Sequence, residues 1–394
     1  MATAYPFTFL PNWQEPVRIR REYRTSIWRS RSRREQRRAL RQTPRLSFSF
    51  QLTLNGDTRR EFRALMDGAL NKPMLVPDWS RSITLAAPAA ETASTITVSS
   101  ALAWLVDGRG LFLYDGQNRP TPIYVDTVVG TTVTLASPLT AAWPAGSQIL
   151  AGCVGFINGG VSPDAVTNTL STVSIDFDVQ PGTEPAPAPA AAGATFNGLE
   201  VCPLTANWRD GYRNALEWSA EFVDNGYGPI AYGFPVDFPT ETRRFTVTAG
   251  NVAAIATVVD FFDRMAGQRD EFYMPSGEAD LIPVAALTGG TATLTVAGTD
   301  TATHYADSTV YTAIRVLLND GTVLYRTVAG IAAAGDNSVL TLGANWPSSI
   351  TPADVTMISW MPVRRFASDT QTIDLITETV AESDIVTLAL ETLP

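Results

Sequence analysis

Asp176 and Asp178 lie two residues apart in an alternating stretch, so they share one strand face, as a cation site or a pair of glycosidase acids would require. Alternating acids on an exposed strand are equally the ordinary way to solvate it, and that is the reading taken. His304 is the only histidine, which rules out two-histidine metal sites and leaves a Ser-His or Cys-His pair one possible base. It sits in a Thr/Asp-rich turn region, Thr301 to Asp307, and reads as an ordinary surface residue. Cys153 and Cys202 flank a linker; two cysteines cannot make a disulfide scaffold, and both read as buried free thiols. The glycine pairs in Asp107-Gly108-Arg109-Gly110 and Thr288-Gly289-Gly290 lack the strand–loop–helix context of a phosphate cradle and read as turns. No catalytic, cofactor-binding or metal residue is therefore assigned, and the chain is read as a non-enzyme without cofactors.

The charge is unevenly placed. Residues 1–81 carry 17 basic and 7 acidic side chains, against 12 and 32 in the remainder, so a positive N-terminal part faces a negative rest within a net charge of −10. Such a split suggests an anionic partner or head-to-tail assembly of basic face on acidic face. The arginines from Arg18 to Arg45 invite a nucleic-acid reading, because guanidinium groups neutralise phosphates and stack on bases. Glu22 and Glu35 interrupt them, however, and the segment alternates like a hairpin, with Val17, Ile19, Tyr23 and Ile27 on one side and Arg18, Arg20, Glu22 and Arg24 on the other. A subunit contact through Arg33, Arg34, Arg37, Arg38, Arg41 and Arg45 is the favoured reading; a solvated face, and a contact with DNA or a tape-measure protein, are the others.

The elements that must hold these residues come in two sets. At 394 residues the chain suits two to four domains, and its single lysine, Lys72, beside abundant Val and Thr favours strands over surface helices. Gln180 to Gly198, rich in Ala-Pro, is an extended linker dividing the chain nearly in half. Asn12-Trp13 with Glu22-Tyr23 recurs at the same spacing as Asn207-Trp208 with Glu217-Trp218. Strand Arg45–Phe50 is matched with Arg243–Thr248. A helix follows in each half, one with a Thr58/Glu61 capping box, the other capped by Asn251 and ended by Gly267, and each leads to a short strand ending at Pro77 or Pro275. Asp115-Gly116 matches Asp320-Gly321 as a hairpin turn, and Trp143-Pro144 matches Trp346-Pro347. The order of these landmarks reads as a tandem duplication. The fold expected is mainly β with one helix per repeat (α+β): a first repeat over 1–180 (core 1–82 plus 154–180, inserted β module 83–153), a linker over 181–198, and a second repeat over 199–394 (core 199–283 plus 363–394, inserted β module 284–362). Each module is expected to be a small β barrel or sandwich. No apolar run is long enough to span a bilayer, and the N-terminus lacks signal-peptide features, so the chain is expected to be made in the cytoplasm.

The opening of the first half resembles a family of tail proteins from long-tailed bacteriophages, the distal tail or baseplate components. The resemblance rests on Pro11-Asn12-Trp13, Glu22-Tyr23, the stretch Glu35-Gln36-Arg37-Arg38-Ala39-Leu40-Arg41, and Pro44-Arg45 entering a strand with Phe48 and Phe50. The second half replaces the arginine stretch with Gly228-Pro229-Ile230-Ala231-Tyr232-Gly233, which confines any arginine contact to the first. The resemblance implies a tail-tube-like β-sandwich unit and a virion protein of the tail tip, assembled in the host cytoplasm. It implies a homo-oligomeric ring, six chains favoured over three, joining the tail tube protein to the baseplate hub protein. The tape-measure protein and tail fibres are further partners it suggests, and no membrane is involved. The rival reading is a host-surface glycan-binding module or depolymerase, in which the tryptophans of the inserted modules would form a sugar platform.

Overall fold

The computed structural model describes residues 4–30, 34–187, 193–218, 221–233 and 239–391. The fold is mainly β, 49% strand and 10% helix, which bears out the β-rich class expected from the alternation. The first half runs β1 (Tyr5–Pro6), β2 (Val17–Arg29), β3 (Glu35–Asn55), helix α1 (Gly56–Ala69) and β4 (Met74–Thr84). Four shorter strands follow, β5 (Thr95–Thr97), β6 (Gly110–Tyr114), β7 (Thr121–Val129) and β8 (Thr132–Leu135), and the half closes with β9 (Gln148–Ile157), β10 (Asp164–Ala165) and β11 (Leu170–Val179). The second half begins with β12 (Thr195–Phe196), β13 (Leu199–Glu200), β14 (Tyr212–Glu217), β15 (Glu221–Val223), β16 (Ala231–Gly233), β17 (Thr240–Ala249), α2 (Val252–Met265) and β18 (Phe272–Tyr273). It continues with β19 (Thr293–Ala297), α3 (Asp300–Tyr305), β20 (Ala313–Leu318), β21 (Val323–Ala334), β22 (Asn337–Leu342) and β23 (Val355–Trp360), and ends with β24 (Val363–Phe366), β25 (Thr370–Leu375) and β26 (Ala381–Ala389).

Neighbouring strands in the first half follow the order β1–β4–β9–β11–β3–β2, with β1 parallel to β4. In the second half the order is β18–β24–β26–β17–β14, and Val201 bridges Tyr273 of β18 in parallel. The short strands are ordered β5–β8–β7–β6–β9 in one half and β19–β22–β21–β20–β23 in the other, each group around its own hydrophobic cluster. The two main sheets join where β2 pairs antiparallel with β25, from Val17 opposite Leu375 to Glu22 opposite Thr370. One apolar core runs through both, including Phe48, Phe50 and Phe177 from the first half and Phe261, Phe262 and Phe366 from the second.

The alternation that forms β3 sends Leu46, Phe48, Phe50, Leu52 and Leu54 inward, as expected for period two. Several local expectations change. Helix α1 is capped by Asn55 together with Thr58, not by Thr58 and Glu61; Thr58 is its N3 residue, and Glu61 instead binds Arg119 at 2.5 Å. Pro77 does not end its strand: β4 bulges between Asp78 and Ser82 and runs on to Thr84. Residues 195–198, assigned to the linker, belong to the β12–β13 hairpin, whose Phe196 packs on Tyr273 at 5.2 Å between ring centroids. Glu22 lies opposite Arg45 and Glu217 opposite Thr240, so Thr240 rather than Arg243 corresponds to Arg45. A slip of three exchanges the two faces of a strand; it enters here because Glu241 and Arg243 hold inward places on β17, so the apolar alternation is visible only from Phe245 onward.

The helices differ in setting. On α1 only Phe62, Met66 and Ala69 are buried, whereas α2, wedged between the two halves, buries eight residues. Asn251 caps α2 as expected, its Oδ1 accepting from the Ala254 N–H at 2.9 Å, and Gly267 with φ +68° follows its end.

Candidate assembly interface

The β2–β3 hairpin carries the arginines and reaches over the second half. Arg33 lies outside the described residues. Arg34 closes the hairpin tip, its N–H donating to Ser30 Oγ at 3.0 Å while its carbonyl accepts from the Ser30 N–H at 2.9 Å. Arg37 donates to Glu271 Oε2 at 2.6 Å and to the Arg269 carbonyl at 2.9 Å. Arg41 donates to the Glu22 carbonyl at 2.7 Å. Arg38 and Arg45 are exposed. The bonds of Arg37 and Arg41 thus lie inside the chain, where the sequence suggested contacts between subunits. For Arg37 the reason is the length of the hairpin, which brings it onto the acidic second half of the same molecule; Arg41 and Glu22 lie on the same hairpin.

Glu35, on the same hairpin, accepts from Arg365 at 2.7 and 2.8 Å and from Arg29. Burial alone would raise its carboxyl, but the Arg365 and Arg29 hydrogen bonds outweigh burial and hold it below its ordinary value. A depressed carboxyl contributes stability that is present above its unfolded value and lost as pH falls through its folded one. Thermal scans between about pH 5 and pH 3 are therefore expected to show the wild type losing more stability than Glu35→Gln, which has no carboxyl to titrate. Parallel pH dependence of the two would remove Glu35 from this role.

Beneath the hairpin lies an ion-pair network that the sequence did not suggest. Arg21 shares the inward phase of Val17, Ile19 and Tyr23 and is fully buried. Its Nε and Nη2 donate to the two oxygens of Asp263 at 3.1 and 2.6 Å. Arg81, turned toward α2 by the β4 bulge, donates to Asp260 at 2.5 Å and to Asp263 at 3.4 Å, and the Tyr23 hydroxyl donates to Asp263 Oδ1 at 3.1 Å. Burial opposes the Arg21 charge but Asp263 more than restores it, while burial first and Asp263 second push the Tyr23 hydroxyl well above its ordinary value. Such groups hold fixed protonation states near neutrality and serve to lock the halves together. The available signal was Arg21, a cation among the apolar residues Val17, Ile19 and Tyr23 of one β2 phase, and two aspartates, Asp260 and Asp263, three apart in an apolar helix.

The signature asparagines do the same work. Asn12 N–H donates to the Gln51 carbonyl at 2.6 Å and Asn207 N–H to the Thr246 carbonyl at 2.8 Å. The Oδ1 of each accepts from the N–H two residues on, Gln14 at 3.2 Å and Arg209 at 3.0 Å, making an Asx turn. The tryptophans diverge: Trp13 packs edge-on to Trp79, whereas Trp208 is 63% exposed against Tyr212. Glu22 is half-buried between Arg20 and Arg41, and Glu217 is exposed at the end of β14.

Asp176 and Asp178 are exposed along β11, and His304 is exposed on α3. Among the described residues no group of three or more His, Cys, Asp or Glu could hold a metal ion. Cys153 is fully buried and burial drives its thiol well up; Cys202 is pushed up to about 12 for the same reason. A cleft of about 490 Å³ beside Tyr273, Tyr305 and Tyr311 is lined by hydroxyl, amide and apolar groups without a charged side chain. Among the described residues no helix is long and apolar enough to cross a membrane. No protein-family model matches the chain, and no curated protein matches it.

Proposed function

We propose that this chain is a structural protein of a bacteriophage tail tip, without catalytic activity, whose copies close into a ring between the tail tube protein and the baseplate hub protein. Its two halves are copies of one unit, each with an inserted β module built on the same strand order. The observation that carries this reading is the pair of ladders in one order, β4–β9–β11–β3–β2 and β18–β24–β26–β17–β14, joined side by side through β25. Two like units fixed laterally through one sheet form a short arc, and an arc repeated by rotation is a ring with heterologous contacts. The tail-tip assignment draws on the motif running from Pro11-Asn12-Trp13 through Glu35–Arg41 to Pro44-Arg45. Six chains are favoured over three, and the tape-measure protein and tail fibres are further neighbours.

Immunogold labelling of purified virions with antibody to this chain is expected to mark the tail end farthest from the head. Label along the whole tube or on the capsid, or absence of the chain from virions by mass spectrometry, would overturn the assignment.

A further inference from the structure

Residues of the first half that contact the second have counterparts in the second half that point to solvent. Arg18 lies opposite Ser49 and Arg213 opposite Arg244, so β14 matches β2 with a constant offset, in which Arg21, Tyr23, Glu35 and Arg37 correspond to Leu216, Trp218, Ile230 and Tyr232. The first four bind or pack against α2, Arg365 and Glu271. The second four are 63%, 57%, 44% and 64% exposed. In the first half β2 is also covered along its edge by β25, with Arg18 bonded to Asp374 at 2.8 Å and the Tyr23 N–H donating to the Asp369 carbonyl at 2.8 Å. No strand among the described residues covers the same edge of β14.

The covering element also has a counterpart, and it too is exposed. The hairpin after β25 closes with the Ile376 N–H donating to the Val380 carbonyl at 2.9 Å, and Thr377 Oγ1 accepting from the Val380 N–H at 3.1 Å. The hairpin after β10 repeats both, with Val166 and Thr167 on Leu170 at 2.9 and 3.0 Å. Asp164 therefore holds the place of Asp374, and the strand registers put Phe156, 43% exposed, in the place of Arg365.

We infer that the open edge of β14 and the apolar β15–β16 hairpin of one chain receive the segment around Asp164, with Phe156, of a second copy. This rests on the proposed self-assembly and names its contact. Arg213 meets the copy's Asp164 as Arg18 meets Asp374, and the Glu35–Arg365 ion pair is replaced by an apolar pair, Ile230 on Phe156. One chain cannot satisfy itself: seven strand steps separate β10 from β14 through the joined sheet, roughly 30 Å at the usual strand spacing. Pro163 stands where Ile373 does and lacks an N–H, so the contact leans on side chains more than on the ladder.

The test uses the full chain. In the ladder register Arg213 and Asp164 form a non-hydrogen-bonded pair, with Cα atoms about 4.5 Å apart, within disulfide reach. Arg213→Cys with Asp164→Cys is expected to form an interchain disulfide on mild oxidation, absent from either single variant. Arg213→Glu is expected to shift the assembly to the 42.5 kDa monomer in solution mass measurements, and adding Asp164→Arg to restore it. An oligomer that Arg213→Glu leaves intact, with no cross-link in the double cysteine variant, overturns this contact and leaves the ring standing. A wild type that stays monomeric at its highest soluble concentration overturns both.

Discussion

Asp263→Ala is expected to destabilise the protein by about 3–5 kcal/mol, the usual result of removing one partner from a buried ion pair. The Asp263 carboxylate is fully buried and accepts four hydrogen bonds, two from Arg21, one from Arg81 and one from Tyr23. Without it the Arg21 guanidinium remains at 0% exposure without its bonded counter-charge, leaving only Asp78 nearby, and the Tyr23 hydroxyl loses its carboxylate acceptor. Lost attraction is the smaller part; the larger is the desolvation that Arg21 then suffers without compensation. For that reason Arg21→Met combined with Asp263→Leu is expected to be less damaging than Asp263→Ala alone, since the two bonded charges are removed together. Urea unfolding of the three proteins checks both statements. A loss below about 1 kcal/mol in Asp263→Ala would show that water reaches the site and the pair is not what joins the halves.

This network also shows where the sequence stopped being informative. Local rules carried β3 and α2: a five-residue apolar alternation, an asparagine cap and a glycine stop need only neighbours in the chain. The Asp-Gly turns were legible for the same reason, and Gly116 and Gly321 both have φ of +86°. Arg21 and Asp263 lie 242 residues apart, and neither position looks buried until the other half is present. The same holds within the second half. Glu241 and Arg243 occupy, on β17, the inward places that Leu46 and Phe48 occupy on β3, and Arg364 is buried with them, bonded to Glu241. An apolar pair in one half is an ion-pair cluster in the other, so the hydrophobic pattern of the first half could not be transferred to the second. Of the arginines read as a contact surface on the β2–β3 hairpin, Arg37 and Arg41 bond within the chain itself, whereas Arg38 and Arg45 are exposed. Composition reports the charge of a surface and leaves open which acidic surface it meets.

Trp346→Ala is expected to remove about 3–5 kcal/mol from the β19–β23 group while leaving the main sheet folded. Trp346 is 1% exposed, donates its indole N–H to the Thr293 carbonyl at 2.8 Å and lies under the Arg326 guanidinium at 5.2 Å. It packs in a cluster with Leu294, Leu340 and Ile350 that is separate from the core shared by the two halves. The strand leading to that core is interrupted: β23 ends at Trp360 and β24 begins at Val363, with Met361-Pro362 between them. Proline has no N–H to continue a ladder, so the ladder is interrupted there and loosening on one side need not run to the other. The first half is built differently, since β9 is one unbroken strand from Gln148 to Ile157, pairing with β6 at its start and with β11 at its end. Trp143→Ala, which opens the corresponding cluster, is therefore expected to loosen β9 as a whole and to reach the main sheet. Amide hydrogen exchange separates the two cases. Trp346→Ala should cost protection in β19–β23 and spare β26 and β17, and Trp143→Ala should cost protection through β9 into β11. Equal spread of the loss from both substitutions would mean that the Met361-Pro362 break does not insulate the main sheet.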